Sequence, residues 1–184
     1  RRVALKVLKR DLGTQPEMAE RFRREARILS GVDHPSVVRV IDFASAPEGM
    51  VLVLELAEGE TLEQVLKFGA LEPGRAARLL LQLAEGLAAI HDKGIVHRDI
   101  KPQNVVVGQT QRGEQARLLD FGIARLLELP EAAGAPPPLP GHSNPFVSVP
   151  GQAVGTPAYM APEQAMAHPV DTRTDVYSFG VLAF

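Results

Sequence analysis

The residues best suited to chemistry lie in one short stretch and in a triplet that follows it. Residues 97–104 read HRDIKPQN, so an acid (Asp99), a lysine (Lys101) and an amide (Asn104) share one loop. A second acid, Asp120, comes sixteen residues after the amide and opens the triplet Asp-Phe-Gly. Carboxylate and amide oxygens are ligands that hard divalent cations prefer. We therefore expect a site that holds metal-bound phosphate and takes the proton of a hydroxyl group.

The first strand and the first helix should bring a lysine and a second carboxylate to that site. Residues 2–8 alternate with a period of two, which directs Lys6 to one face of a strand. A capping box at residues 14–17 predicts a helix that runs to about Leu29. Its inward stripe consists of Met18, Phe22, Ala26 and Leu29. Glu25 falls on this stripe, and we expect Lys6 to be its partner because a carboxylate on a buried face needs one.

The rest of the chain has the pattern of further strands and helices. Apolar runs predict strands at residues 37–43, 50–56, 105–107 and 117–119. Periodic apolar residues predict helices at 61–67 and 73–93, and residues 57–59 would join two halves of the molecule. The polar, glycine-containing residues 109–115 predict the tip of a hairpin.

The chemical motifs occur together with three others in one order along the chain. Residues 3–6 read VALK, residues 155–163 read GTPAYMAPE, and residues 175–180 read DVYSFG. With HRDIKPQN and the Asp-Phe-Gly triplet, they resemble the signature set of protein kinases. The sequence GTPAYMAPEQ is most similar to the corresponding segment of bacterial serine/threonine kinases of the eukaryotic type.

The resemblance implies an α+β, bilobal protein-kinase-like fold that is incomplete at both ends. Residues 1–56 would form part of the small, β-rich N-lobe, without its first strands and without a glycine-rich loop before Lys6. Residues 57–184 would form the hinge and part of the mainly helical C-lobe, without its last helices. Residues 120–163 would be a long activation segment, and seven of the fifteen prolines lie in its residues 129–150.

The resemblance also implies a role for each polar residue in the transfer of phosphate from ATP. Lys6, fixed by Glu25, would hold the α- and β-phosphates, and Lys101 would stabilise the γ-phosphate. Asp99 would accept the proton of the substrate hydroxyl or orient that hydroxyl for attack. Thr156 would contact Asp99 and Lys101 and help to select serine or threonine acceptors.

The same resemblance assigns metal binding to two residues and structural roles to three others. Asn104 and Asp120 would bind Mg²⁺ through oxygen atoms. His97 and Phe121 would be structural, because in the family they stack in a column that aligns the lobes, here with Leu29 and Val40. Asp175 would hydrogen-bond the backbone of the catalytic loop from the start of a helix.

The adenine site follows from the same alignment. Adenine would lie between Ala4 above and Val106 below. The backbone of Glu55 and Ala57 would supply the hinge hydrogen bonds, and Leu54 would be the gatekeeper.

Arg98 implies regulation through the activation segment. In the family this arginine often binds a phosphate on that segment and orders it by charge-assisted hydrogen bonds. We expect activation by phosphorylation within residues 143–156, with Ser148 as the first candidate and Ser143 as the second. Two interpretations of the proline-rich stretch stay open, a tolerated surface insertion and a regulatory or docking element.

Bulk composition narrows the class of partner. The 184 residues carry a net charge of −2, so no basic field favours nucleic acid. The chain has no cysteine, which excludes disulfides and thiol chemistry and fits the cytoplasm. No apolar run approaches the roughly 20 residues that span a bilayer. The expected partners are protein substrates with serine or threonine acceptors and a second copy for trans-autophosphorylation. A membrane anchor, which many relatives carry, would lie outside these residues.

Two rival functions stay open. A pseudokinase or an inactive fragment would bind partners without catalysis, although a pseudokinase would usually have lost one of the residues expected to act on ATP. A small-molecule phosphotransferase of related fold is disfavoured by GTPAYMAPEQ, which suits a protein-substrate groove. The incomplete lobes leave open whether these 184 residues transfer phosphate on their own.

Overall fold

The computed structural model describes residues 2–8, 16–46, 49–120, 157–166 and 168–184. Its strands are β1 (Val3–Leu8), β2 (Val40–Ala46), β3 (Gly49–Glu55), β4 (Glu60–Thr61), β5 (Val105–Thr110) and β6 (Gly113–Leu118). Its α-helices are α1 (Pro16–Ser30), α2 (Leu62–Leu66), α3 (Pro73–His91), α4 (Pro162–Ala165) and α5 (Thr172–Ala183). Short 3-10 helices lie at Pro102–Asn104 and Pro157–Tyr159. A sheet-rich first part and a mainly helical second part confirm the expected α+β class.

The first sheet is antiparallel, with the strand order β1-β3-β2, and α1 packs on its inner face. The predicted alternation of β1 is confirmed: Leu5 is 64% exposed, whereas Lys6, paired in register with Leu52, is turned inward. The inward stripe of α1 is confirmed at Phe22, Ala26 and Leu29, which are buried. The side chain of Met18 lies outside the described residues.

The second strand begins at Val40, not at residue 37 as predicted. Residues 37 and 38 lie outside the first sheet, because Val37 forms a parallel bridge with Leu118. The Val38 amide also donates to the Leu118 carbonyl at 3.0 Å. Long-range backbone pairing therefore overrides the local apolar pattern, and it docks the segment after α1 onto β6, close to Asp120.

The second sheet has the order β4-β5-β6 and holds a longer hairpin than predicted. Residues 109–115 were expected to form its tip, but Gln109 pairs with Glu114, and Thr110 pairs with Gly113. Backbone pairing tolerates polar side chains on an exposed hairpin, so the polar pattern was a poor guide to the turn. The tip is residues 111–112, followed by Gly113 with φ of 107°.

Two glycines allow the hinge, residues 57–59, to approach β5 closely. Gly59 has φ of 143°, and a Cβ built there would lie 2.3 Å from the carbonyl oxygen of Val107. A Cβ on Gly108 would lie 2.2 Å from the carbonyl oxygen of Glu58. Since Cβ atoms essentially never approach other atoms so closely, only glycine fits at both positions. This contact fixes the height of the hinge above β5.

The helices of the second part carry the predicted apolar face. On α3 the buried residues are Leu79, Leu83, Gly86, Leu87 and Ile90. The helix ends at His91, slightly before the predicted residue 93. Helix α5 is capped by Asp171, whose side chain accepts from the Arg173 amide, so Asp175 lies within its first turn. Among the described residues, no helix is both long and apolar enough to cross a membrane.

Candidate active site

The loop that joins α3 to β5 brings three of the predicted site residues into direct contact. Lys101 Nζ lies 2.8 Å from Asp99 Oδ2. The Asn104 side-chain amide donates to the carbonyl oxygen of Asp99 at 2.8 Å and to Asp99 Oδ2 at 2.7 Å. The loop thus holds the Asp99 carboxylate between a cation and an amide donor, as charge-assisted hydrogen bonds favour.

These contacts also fix which way the Asn104 amide faces. Both acceptors are oxygen atoms of Asp99, so the atom that meets them must be the NH₂ nitrogen. The Oδ1 atom then remains as the acceptor of this side chain. The Leu119 amide donates to the Asn104 carbonyl at 2.8 Å, which ties the loop to the residue just before Asp120.

Asp120 meets the lysine of β1. Lys6 Nζ lies 3.0 Å from Asp120 Oδ1, and the two side chains are 29% and 43% exposed. Asp120 has φ of 49°, a left-handed conformation that few residues other than glycine adopt. The predicted partner of Lys6 was Glu25, whose side chain lies outside the described residues, so that pair stays a prediction.

His97 is a buried structural residue, in agreement with the prediction. Its Nε2 atom lies 2.9 Å from the Leu119 carbonyl, which can only accept, so Nε2 carries the proton. Its Nδ1 atom accepts from the Asp99 amide at 3.4 Å. A ring with one donor and one acceptor is neutral. Burial lowers the pKa of His97, although the negative charges of Asp175, Asp99 and Asp120 oppose this shift.

Asp175 holds the backbone of the catalytic loop, as predicted. Its side chain is completely buried. It accepts from the His97 amide at 2.7 Å and from the Arg98 amide at 2.8 Å. His91 Nε2, at the end of α3, lies 2.8 Å from the same carboxylate. Sequence reasoning missed His91, because nothing local relates it to a residue 84 positions later.

The segment around α4 is fastened both to the catalytic loop and to α5. Gln164 Nε2 donates to the Arg98 carbonyl at 2.9 Å. Ser178 donates its hydroxyl proton to the Tyr159 carbonyl at 2.7 Å. Sequence reasoning quoted Gln164 within GTPAYMAPEQ but gave it no role.

Glu163 is held by α5. Its Oε1 accepts from the Thr174 hydroxyl at 2.6 Å. That hydrogen bond is the main reason why the pKa of Glu163 lies below its ordinary value. Thr174 is completely buried, so the contact fixes the start of α4 on the core.

The residues predicted to surround adenine belong to both sheets and to the segment that joins them, and their grouping around a base stays a prediction. Ala4 is paired with Leu54 in the first sheet. Val106 is buried and pairs with Thr61 in the second sheet. Ala57 lies between the sheets, after the end of β3.

The side chain of Glu55, at the end of β3, has a partner that the sequence did not indicate. Arg117 Nη2 on β6 donates to Glu55 Oε2 at 2.6 Å and lies 3.4 Å from the Val37 carbonyl oxygen. One guanidinium thus joins the hinge, the segment after α1 and β6.

Several predictions fall on residues 121–156, which lie outside the described residues. They concern Phe121, Thr156, the two candidate phosphorylation sites Ser143 and Ser148, and the proline-rich stretch. Within the described parts of the chain, no three His, Cys, Asp or Glu residues form a cluster that could hold a metal ion by themselves. A cation held by Asp120 and Asn104 would therefore need further ligands besides these two side chains.

The family of this protein is identified by a match over the whole length of the chain. A sequence model of the protein kinase domain matches residues 1–184. The chain belongs to the protein kinase family. Serine/threonine-protein kinase pkn2 of Myxococcus xanthus is 58% identical over 184 residues, which are 100% of this kinase chain and 21% of pkn2. Serine/threonine-protein kinase PknA of Mycobacterium tuberculosis is 40% identical over 190 residues, which cover 100% of the kinase chain and 40% of PknA.

A solved kinase structure has the same fold. The PknI kinase domain of Mycobacterium tuberculosis matches with a TM-score of 0.69 and 27% identity, covering 98% of this chain and 61% of that one. The kinase chain therefore covers part of a kinase domain and spans between 21% and 40% of the two curated relatives described above. As a member of the family it is expected to use ATP and a divalent metal ion.

Proposed function

We propose that this chain is the catalytic core of a protein serine/threonine kinase that transfers the γ-phosphate of Mg·ATP to serine and threonine hydroxyls of proteins. The observation that carries the proposal is two groups of contacts, Lys6 with Asp120 and Asp99 with Lys101 and Asn104. The backbone bond from Leu119 to Asn104 ties one group to the other. Two lysines, two acids and an amide suit charge neutralisation and the positioning of a hydroxyl.

Magnesium is the metal that fits the donor set best. Asn104 directs its NH₂ group at Asp99, so its remaining Oδ1 is an oxygen ligand. Asp120 supplies a carboxylate that is 43% exposed and already faces one cation, Lys6. A hard cation that keeps part of its water and takes phosphate oxygens needs only one or two such protein ligands. When bound, Mg²⁺ would neutralise charge on the transferring phosphate.

Four side chains would act on the phosphates and the acceptor. Lys6 would hold the α- and β-phosphates, with Glu25 as its positioning partner. Lys101 would stabilise the γ-phosphate. Asp99, already bonded to Lys101 and Asn104, would orient the acceptor hydroxyl and take its proton. Thr156 would complete the acceptor site.

The nucleotide base would occupy the region between the two sheets. Ala4 and Val106 would contact its faces, and Leu54 would limit the depth of the pocket. The backbone of Glu55 and Ala57 would bond its edge. The close approach of the hinge segment to β5 supports this proposal, because it holds the two sides of that slot at a fixed separation.

Regulation, partners and location follow as further parts of the proposal. Phosphorylation at Ser148 or Ser143 would activate the enzyme through Arg98, by trans-autophosphorylation within a dimer. Protein substrates with serine or threonine acceptors would be the partners. The cytoplasm is the natural location, because ATP is supplied there.

A transfer assay on the complete kinase domain tests the proposal. We expect the wild type to label protein from γ-labelled ATP on serine and threonine, and only with a divalent cation. Asp120→Asn should abolish transfer and leave the melting temperature unchanged, whereas Asp92→Asn, an exposed control, should change neither. Unchanged transfer in Asp120→Asn would refute the metal role. A wild type that binds ATP but transfers nothing would favour the rival, a non-catalytic binding module.

A further inference from the structure

The peptide that precedes Asp99 is held in an unfavourable conformation. Arg98 has φ of 65°, in the left-handed region that is unfavourable for a residue other than glycine. Such a conformation persists only where the surroundings hold it. Because Asp99 is the next residue, the orientation of its carboxylate depends on how firmly this peptide is fixed.

The Arg98 residue is held at both of its backbone polar groups. Its amide donates to Asp175 Oδ1 at 2.8 Å. Its carbonyl accepts from Gln164 Nε2 at 2.9 Å. The Gln164 Oε1 atom in turn accepts from the Ala161 amide at 3.2 Å. A backbone carbonyl needs a donor and a backbone amide needs an acceptor, so the orientation of the Gln164 side chain is unambiguous.

The two residues that hold Arg98 share one support. Asp175 is part of α5. Gln164 is part of α4, which α5 fastens through Thr174 to Glu163, and the preceding turn is fastened through Ser178 to Tyr159. A small pocket is lined by Asp99 and Lys101 of the catalytic loop and by Tyr159 and Gln164 of the segment around α4. A shift of α4 would therefore displace the peptide that precedes Asp99.

We infer that Gln164 is a positioning residue for the proposed phosphoryl transfer. Its amide fixes the Arg98 carbonyl and so couples the end of the activation segment to the orientation of Asp99. Without this donor the Arg98 peptide can rotate toward a less strained conformation, which turns Asp99 away from the acceptor hydroxyl. ATP is not bound by these groups, so its affinity should not depend on Gln164. The inference rests on the proposed function.

The test compares two substitutions that separate the two hydrogen bonds of Gln164. Gln164→Glu keeps an acceptor for the Ala161 amide but turns a carboxylate oxygen toward the Arg98 carbonyl. Gln164→Met keeps the size of the side chain and loses both bonds. Gln111→Glu makes the same charge change at the exposed hairpin tip and serves as the matched control.

We expect Gln164→Glu in the complete kinase domain to lower kcat at least about tenfold while KM for ATP stays within about twofold. Gln164→Met should also lower kcat, and Gln111→Glu should have the kcat of the wild type. A merely structural role would lower the melting temperature and the fraction of active enzyme together, and active-site titration separates that case. Wild-type kcat in Gln164→Glu, or an equal loss of ATP affinity, would overturn the inference. An inactive wild type would instead refute the proposed function.

Discussion

Lys6 Nζ lies 3.0 Å from Asp120 Oδ1, so β1 and the residue that follows the β6 hairpin meet across the site. Both side chains are partly exposed, so water screens the pair and its contribution to stability is small. The contact is therefore better explained by a role in binding phosphate than by a role in folding. Together with the pair between Arg117 and Glu55, it joins the two halves of the molecule by charge.

Replacing Lys6 by methionine should remove phosphate binding and spare the fold. We expect kcat/KM for ATP to fall by about 100-fold or more, the typical loss when one donor to a developing charge is removed. Lys93→Met, at an exposed position after α3, is the matched control. Steady-state kinetics and a thermal melt of the complete kinase domain check this prediction. A lower melting temperature with unchanged kinetics would show that the Lys6–Asp120 pair is structural.

Stability should depend on pH through His97. Burial lowers its pKa in the fold below the ordinary value of 6.5, so the unfolded chain binds more protons in the window below 6.5. The contribution is therefore fully present above pH 6.5 and is lost as the pH falls toward the folded pKa. One proton gives a slope of at most about 1.4 kcal/mol per pH unit.

Urea titrations between pH 7.5 and pH 5 can isolate that slope. His97→Gln retains a donor for the Leu119 carbonyl but has no titrating ring, so its unfolding free energy should vary less with pH than that of the wild type. Identical slopes in the two proteins would assign the pH dependence to other groups.

The hinge should depend on the pair between Arg117 and Glu55. Arg117 Nη2 is 2.6 Å from Glu55 Oε2, and the side chains are 20% and 28% exposed. We expect Arg117→Met to raise KM for ATP by about fivefold with kcat nearly unchanged, because the proposed adenine contacts lie on the Glu55 backbone. Arg112→Met, at the exposed hairpin tip, should behave like the wild type. A change in kcat alone would contradict this assignment.

Thr174 should control the ionisation of Glu163. Loss of the hydroxyl in Thr174→Val removes the main cause of the lowered Glu163 pKa, so that pKa should rise toward 4.5. Thr174→Ser keeps a hydroxyl and should retain the low value. Carboxyl chemical shifts followed through a pH titration give the measurement. A low pKa that survives in Thr174→Val would show that another group holds Glu163.

Local sequence patterns predicted the helices and strands well, and they predicted the catalytic loop best. The alternation of β1, the stripe at Phe22, Ala26 and Leu29, and the run HRDIKPQN each depend on neighbours in sequence. The sequence placed Asp99, Lys101 and Asn104 in a single loop, but it did not predict the contacts among them.

Contacts between distant segments could not be predicted in the same way. Val37 pairs with β6 instead of β3, and Arg117 reaches Glu55 from 62 positions away. The hold of Gln164 on Arg98 depends on a backbone carbonyl, which no side-chain pattern reveals. The Lys6 contact with Asp120 was not predicted, because Glu25, expected on the inward stripe of α1, was the candidate nearer in sequence.

The central claim is that Asp120 and its neighbours form a metal·ATP site, and calorimetry tests it most directly. ATP would be titrated into the complete kinase domain with Mg²⁺ and with a chelator, for the wild type and for Asp120→Asn. We predict that Mg²⁺ tightens ATP binding at least about tenfold in the wild type and by no more than about twofold in the variant. Equal tightening in both proteins, or no effect of Mg²⁺ on the wild type, would contradict the claim.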